Sequence, residues 1–430
     1  MDVLQDALNQ AAAALPALFL QKLIAKKLQE QGIKRTKSLS ERLARHILDG
    51  KGEPVKYSRA ITLTFTEADG AEIEEAIKRF CDTQLPSLVQ NGAHRTSKTV
   101  LKDLKSRWPD ELAMQIADIS EFRERLEDRW GKPLGFLRML LTMIREWCQG
   151  AHERLLTRKK AKREQVPGLL IRLLVRACQV TDETICLLEN GFADGVMAMW
   201  RTLHEIAVVA TVISQYGESI AERYLVHQAV ESKRKMDKYL ACYRQLGYRP
   251  LSVREQEKVV RNYDKAMAQY GKPFGTDYKM GGFGLAEYSP TFADLEVAAG
   301  RAQMRAHYQM GNDNIHAGIK SIFVRLGLIE GYTGLLSGRS NAGLTEPGQN
   351  AAFTLTQLAA MVCMADPSFD DLVVGEMVVT LKNEVPQAFG RVVRQLRKDD
   401  KKHRAAVSGP ALSASPKVPV FMPSYLKDIH

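Results

Sequence analysis

Apolar side chains recur at intervals of three and four through most of this sequence, the spacing that lays them along one face of an α-helix. The pattern is continuous over 111–130 and resumes over 134–156, so two helices are expected there with Gly131 and Pro133 breaking between them. A long amphipathic stretch, 169–189, ends at Asn190-Gly191. A more apolar one, 192–216, ends at Gly217, and the two together predict an antiparallel helix hairpin. Further helical patterns cover 219–246, 252–270, 291–317, 319–336, 349–365 and 368–398, while the glycines and two prolines of 272–290 predict a loop. Only 60–66 (AITLTFT), where β-branched and aromatic residues cluster, predicts a strand. The expected fold class is all-α: a multi-helix bundle preceded by a mainly helical N-terminal module that carries one small β element.

Punctuation divides the chain further. The basic run Arg158-Lys159-Lys160-Ala161-Lys162-Arg163, followed by Pro167-Gly168, marks a linker over 158–168 between the N-terminal module, 1–157, and the bundle, 169–400. Beyond 400 the composition turns to Ser, Pro and Ala. This predicts a flexible tail, 401–430, able to dock a protein partner.

Composition narrows the classes. With 430 residues, 45% of them hydrophobic and 26% charged, the chain is long enough for two or three domains with cores of their own. No run reaches the eighteen or so apolar residues of a membrane span, and the apolar 11–27 segment contains Pro16 and follows Asp2 and Asp6, unlike a signal peptide. A cytoplasmic protein with no membrane contact is expected. The net charge of +11 is concentrated in 158–163 and 397–404, which suits RNA or another phosphate-bearing partner, although solvated helix ends carry such runs too. Six scattered cysteines without a CxxC pair read as reduced thiols.

Within the apolar helical stretches stand two polar constellations: Arg201, His204 and Glu205, and then Tyr308, Asn312 and His316. Intervals of four put Arg201 with Glu205, and Tyr308 with Asn312 and His316, on single helix faces. Taking an Arg and a carboxylate out of water costs several kcal/mol per ion unless they are paired, so their presence there calls for a site or a structural network. His204-Glu205 lacks the second histidine of a zinc-binding HExxH, since position 208 is Val, and no phosphate-binding glycine loop follows a strand. Gly334 to Gly338 has the wrong spacing for a nucleophile elbow. No metal and no cofactor is expected.

The motifs RTLHE (201–205), ERYLVHQ (222–228) and YQMGNDNIH (308–316) make the segment from about Leu173 to Leu336 resemble the DUF5677 family of uncharacterised bacterial helical proteins. Asn312 stands where that family commonly has a small hydroxyl residue. The arrangement more distantly resembles HEPN bundles, and this implies a metal-independent ribonuclease or RNA-binding module, commonly dimeric, of toxin and phage-defence systems. The HEPN signature, Arg followed by His after four to six residues, is met by Arg301 and His307, with Ala302 where a polar residue is usual.

Two readings follow. In the first, His316 moves the proton of a 2′-hydroxyl, Arg201 clamps the phosphate, Glu205 orients Arg201, and Tyr308 and Asn312 position the substrate. In the second, a non-enzymatic interaction protein uses these residues as a buried hydrogen-bond network that fixes helix register. A site requires Arg201 and His316 to open onto a basic cleft, and a network requires both to be sealed.

Overall fold

The structure, a computed structural model, describes residues 3–33, 36–49, 61–157, 164–275, 283, 291–316, 322–329, 335–365 and 367–407. Among these, every regular element is helical. The chain forms two compact units, Met1–Ala117 and Asp118–His430, and the division falls within a helix upstream of 158–168. Residues 158–163 of the expected linker, and the tail from 408 on, lie outside the described residues.

The first unit contains α1 (Val3–Ala13), α2 (Leu15–Glu30), α3 (Thr36–Asp49), α4 (Glu67–Thr83) and the start of α5 (Leu85–Thr157). Its core is small: Ile24, Leu28, Ile33, Leu39 and Ala44, with Ile61 and Leu63 packed on it. The expected strand is absent. Residues 61–66 are extended enough for Ile61 and Leu63 to turn inward, but no second strand pairs with them among the described residues. Side chains of α2 take their carbonyls instead, Lys27 donating to the Thr64 oxygen at 3.1 Å and Gln31 to that of Thr62 at 2.9 Å. Alternation therefore reported an inward face without a sheet. Thr66 then caps α4 through a reciprocal box with Asp69.

In the second unit, residues 118–157 of α5 join α6 (Val166–Leu188), α7 (Ala193–Tyr216), α8 (Glu218–Val226), α9 (Gln228–Cys242), α10 (Val253–Tyr270), α11 (Phe292–Ala298), α12 (Arg305–Asp313), α13 (Thr345–Cys363) and α14 (Phe369–Val407). Pro133 does not divide α5. It is buried beside Trp130, Leu134 and Leu137, whose packing holds the helix together across the amide that proline lacks. The α6–α7 hairpin turns where expected, at Gly191 (φ 74°), whose absent Cβ would lie 2.6 Å from the Ser340 carbonyl. The expected single helix over 219–246 is two, α8 and α9, separated at His227. The helix expected over 319–336 is not formed in the described residues 324–329, where Asp194, near the start of α7, accepts the Leu326 amide at 3.0 Å and pairs with Arg325.

Among the described residues, α7 is the one helix long and apolar enough to cross a membrane, and 67% of that apolar window is buried inside the fold. It is the central core helix. Trp200, fully buried, donates to the Thr354 hydroxyl at 3.0 Å and so ties α7 to α13. Trp147 of α5 donates to Asp371 of α14 at 2.8 Å, and Arg154 reaches the same oxygen at 2.7 Å. Burial opposes the Asp371 charge, yet hydrogen bonds from Ser368 and Trp147 together with Arg154 hold its carboxyl below the usual range.

Candidate functional site

α12 lies against α7 at Gly311, where a Cβ would come within 3.1 Å of the Met197 carbonyl and 3.3 Å of Arg201 Cβ. The missing side chain lets the two helices approach and brings three of the five expected site residues together. The Tyr308 hydroxyl accepts from Arg201 at 2.8 Å and donates to Glu205 at 2.7 Å, while Arg201 and Glu205 pair at 3.3 Å along α7. The guanidinium also covers the Tyr308 ring, 4.8 Å from its centroid. Burial, and then the Glu205 carboxylate beside it, pushes the Tyr308 phenol up to about 12, so it remains a donor at neutral pH. Arg201 and Glu205 are each 21% exposed.

The other two expected residues do not join this triangle. Asn312 is half-buried on the same helix, and its Oδ1, like the Nε of Arg201, is buried without a hydrogen-bond partner. His316 is exposed and lies beyond the end of α12 at Asp313, so the four-residue spacing that promised a shared face has no helix to carry it. Exposure of His316 beside a largely enclosed Arg201 matches neither an open cleft nor a sealed network containing both.

A second buried constellation surrounds His204, which sequence alone had left without a role. His204 Nε2 is 2.8 Å from Glu296 of α11, both essentially fully buried, and Arg305 donates to the other Glu296 oxygen at 2.8 Å. Burial lowers the His204 pKa against the pull of Glu296. A neutral imidazole with its proton on Nε2 satisfies that bond, whereas a second proton on the partnerless Nδ1 would be a buried unpaired donor. Glu296 was missed. Its signal was there: Phe292, Leu295, Glu296 and Ala299 share one helix face, and the glutamate interrupts an otherwise apolar stripe.

The Arg301–His307 pair does not converge. Arg301, desolvated enough to lower its pKa, donates to Thr211 of α7 at 3.2 Å and to Gln357 of α13 at 2.7 Å. His307 pairs with Glu346 of α13 at 2.6 Å and lies edge-on to Trp200 of α7. Gln357 and Glu346, like Thr211 and Trp200, are eleven residues apart, about 16 Å at a helical rise of about 1.5 Å. The two side chains therefore point to different regions of the bundle.

Glu346 leads to a different surface. It lines a groove of about 850 Å³ with Thr345 and Gln349 of α13 and with Arg394, Arg397, Lys401 and Arg404, which repeat along one face of α14. Arg404 is paired with Asp400 at 2.9 Å. Four cations against Glu346 and Asp400 leave the groove net positive, with Leu396 and Val393 among its apolar walls.

Among the described residues, no three His, Cys, Asp or Glu side chains are arranged to hold a metal ion. Cys148, Cys178 and Cys363 are buried free thiols pushed upward in pKa by that burial, Cys178 to about 12. Residues 168–331 match a family of unknown function (DUF5677). No curated protein and no solved structure matches the chain. The matched segment contains Arg201, Glu205, Tyr308, Asn312, His316, His204, Glu296 and His307, and of the groove only Leu326, Leu328 and Ile329, so Glu346 and the cations of α14 lie outside it.

Proposed function

We propose that this protein binds RNA through the basic groove between α13 and α14, and that the Arg201–Glu205–Tyr308 triangle is a structural clamp rather than a catalytic centre. The observation that carries this reading is the row Arg394, Arg397, Lys401 and Arg404 on one helix face above an 850 Å³ groove. Phosphates spaced along a single strand suit such a row, and planar guanidinium groups suit phosphate oxygens. RNA is preferred over other polyanions because of the HEPN resemblance, which is also the only support for a bacterial toxin or phage-defence setting. The clamp reading rests on partnering and burial: each of the three side chains engages the other two, and the remaining Arg201 Nε is buried.

Binding of a fluorescent single-stranded RNA, followed by anisotropy over a salt series, tests it. Arg394→Glu with Arg397→Glu should weaken binding by at least tenfold and lower the salt slope by about 1.4, at about 0.7 per lost contact. Arg201→Ala should leave affinity unchanged at a temperature where the fold is intact. Equal affinity of the charge-reversed protein and the wild type would defeat the assignment.

A second reading, metal-independent cleavage of the bound RNA, is favoured by the 2.6 Å pair that His307 makes with Glu346, a residue of the groove lining. With Nδ1–H held by Glu346, Nε2 is left to take the 2′-hydroxyl proton as the 2′-oxygen bonds to phosphorus and the bond to the 5′-oxygen breaks, that oxygen taking its proton from water. This would transfer the base from His316 to His307. Cleavage of total RNA lost in His307→Ala and retained in His316→Ala supports it; the reverse pattern restores His316, and no cleavage by the wild type leaves binding alone.

A further inference from the structure

Along α5, Leu101, Leu104, Trp108, Leu112 and Ile116 are each between 41% and 59% exposed, and half-buried Ile119 continues their line. Five large apolar side chains on one helix face are a contiguous patch of the kind that marks an interface. Their intervals, three, four, four, four and three, average 3.6 residues, so the row runs straight along one helix face. They are also symmetric about Asp110: Leu101 mirrors Ile119, Leu104 mirrors Ile116, and Trp108 mirrors Leu112. A helix laid antiparallel on a second copy of itself about that point would set apolar residue against apolar residue in every layer.

Charge selects the same arrangement. Upstream of the centre, Arg95, Lys98, Lys102, Lys105 and Arg107 face a single acid, Asp103; downstream stand Asp110, Glu111, Asp118, Glu121 and Glu124 with one base, Arg123. The mirror that aligns the apolar layers puts Lys102 opposite Asp118. One or two positions off it, Lys98 comes near Glu121, Arg107 near Glu111 and Arg95 near Glu124, while Arg95 falls directly opposite Arg125. A parallel pair would set the basic stretch against itself, where like charges disfavour association. A two-fold interface is self-complementary by construction, and this sequence has that property in both hydrophobicity and charge.

We infer that residues 95–124 of α5 form an antiparallel two-helix interface with a second copy of this chain, centred at Asp110. This dimerisation does not depend on the RNA reading and uses none of the groove residues. The test is sedimentation velocity on the full-length protein across a concentration series at physiological salt. The wild type should sediment as a dimer, and Leu104→Glu with Leu112→Glu should halve the mass without loss of helical circular dichroism. Arg95→Glu, Lys98→Glu and Lys102→Glu together should also give monomer, and adding Asp118→Lys, Glu121→Lys and Glu124→Lys should restore the dimer. On dilution the emission of Trp108 should shift to the red, since Trp130, Trp147 and Trp200 are buried and cannot contribute that change. A monomeric wild type at tens of micromolar, or a dimer indifferent to the basic-half reversal, overturns the interface. Failure of the second reversal to rescue overturns the antiparallel register.

Discussion

At the scale of single residues, one hydroxyl holds two charges. Tyr308 accepts from Arg201 and donates to Glu205, so Tyr308→Phe removes one hydrogen bond from each in a half-buried setting. The expected loss is about 1–3 kcal/mol in urea unfolding, with no change in RNA affinity. His204 predicts a pH dependence of definite sign. Burial holds its folded pKa below the ordinary value, so the unfolded chain takes up the proton first as pH falls. The stabilisation is complete above about pH 6.5 and is lost progressively below it. His204→Gln should melt with a shallower decline between pH 7.5 and 5.5 than the wild type, and parallel curves would contradict the assignment. Spacing alone was enough to join Arg201 to Glu205 and to place Tyr308 and Asn312 on one face. It could not join His316 to them, because the end of α12 lies between, nor reveal that Glu296 crosses from α11 to meet His204.

At the scale of elements, periodicity marked the helices and failed where tertiary partners decide. The core around Trp130 and Leu137 secures α5 through Pro133, and α5 also runs through Pro109, which is exposed. The alternating 61–66 segment needed a second strand that the chain does not supply among its described residues. The α7–α12 contact depends on Gly311, for which sequence gives no warning, since glycine inside a helix is ordinarily only a loss of about 1 kcal/mol. Gly311→Ala should remain within about 1 kcal/mol of the wild type, the helix gain offsetting slight crowding. Gly311→Val should lose about 1–3 kcal/mol by overpacking against the Met197 carbonyl and Arg201 Cβ. Chemical denaturation of the two variants side by side checks the difference.

At the scale of the whole molecule, the separate main cores of the two units predict two separable transitions. The Ile24–Leu28–Leu39 core and the large core around α7 share no residue. Leu28→Ala should lower one calorimetric transition, and Leu203→Ala the other, each by about 2–5 kcal/mol of the unit's stability. A single transition displaced by both substitutions would show one cooperative structure instead. The division inside α5, after Ala117, falls at no glycine or proline, and the nearest marks in the sequence are Pro109 and the reversal from basic to acidic side chains about Asp110.

The apolar character of α7 has a further consequence in time rather than in space. Trp200 finds its partners Asn350 and Thr354 at sequence separations of 150 and 154 residues. At synthesis rates of about 5–20 residues per second, α7 waits on the order of ten to thirty seconds for α13, and most of that interval passes before α11 and α12 have been made. During that interval it has the length and hydropathy of a membrane-spanning segment. Arg201 and Glu205, near its midpoint, oppose insertion, since a charged side chain at the centre of a bilayer helix is disfavoured by about 2.5–3.5 kcal/mol on insertion scales. Arg201 and Glu205 thus add a cost to membrane insertion before there is any α12 for them to meet.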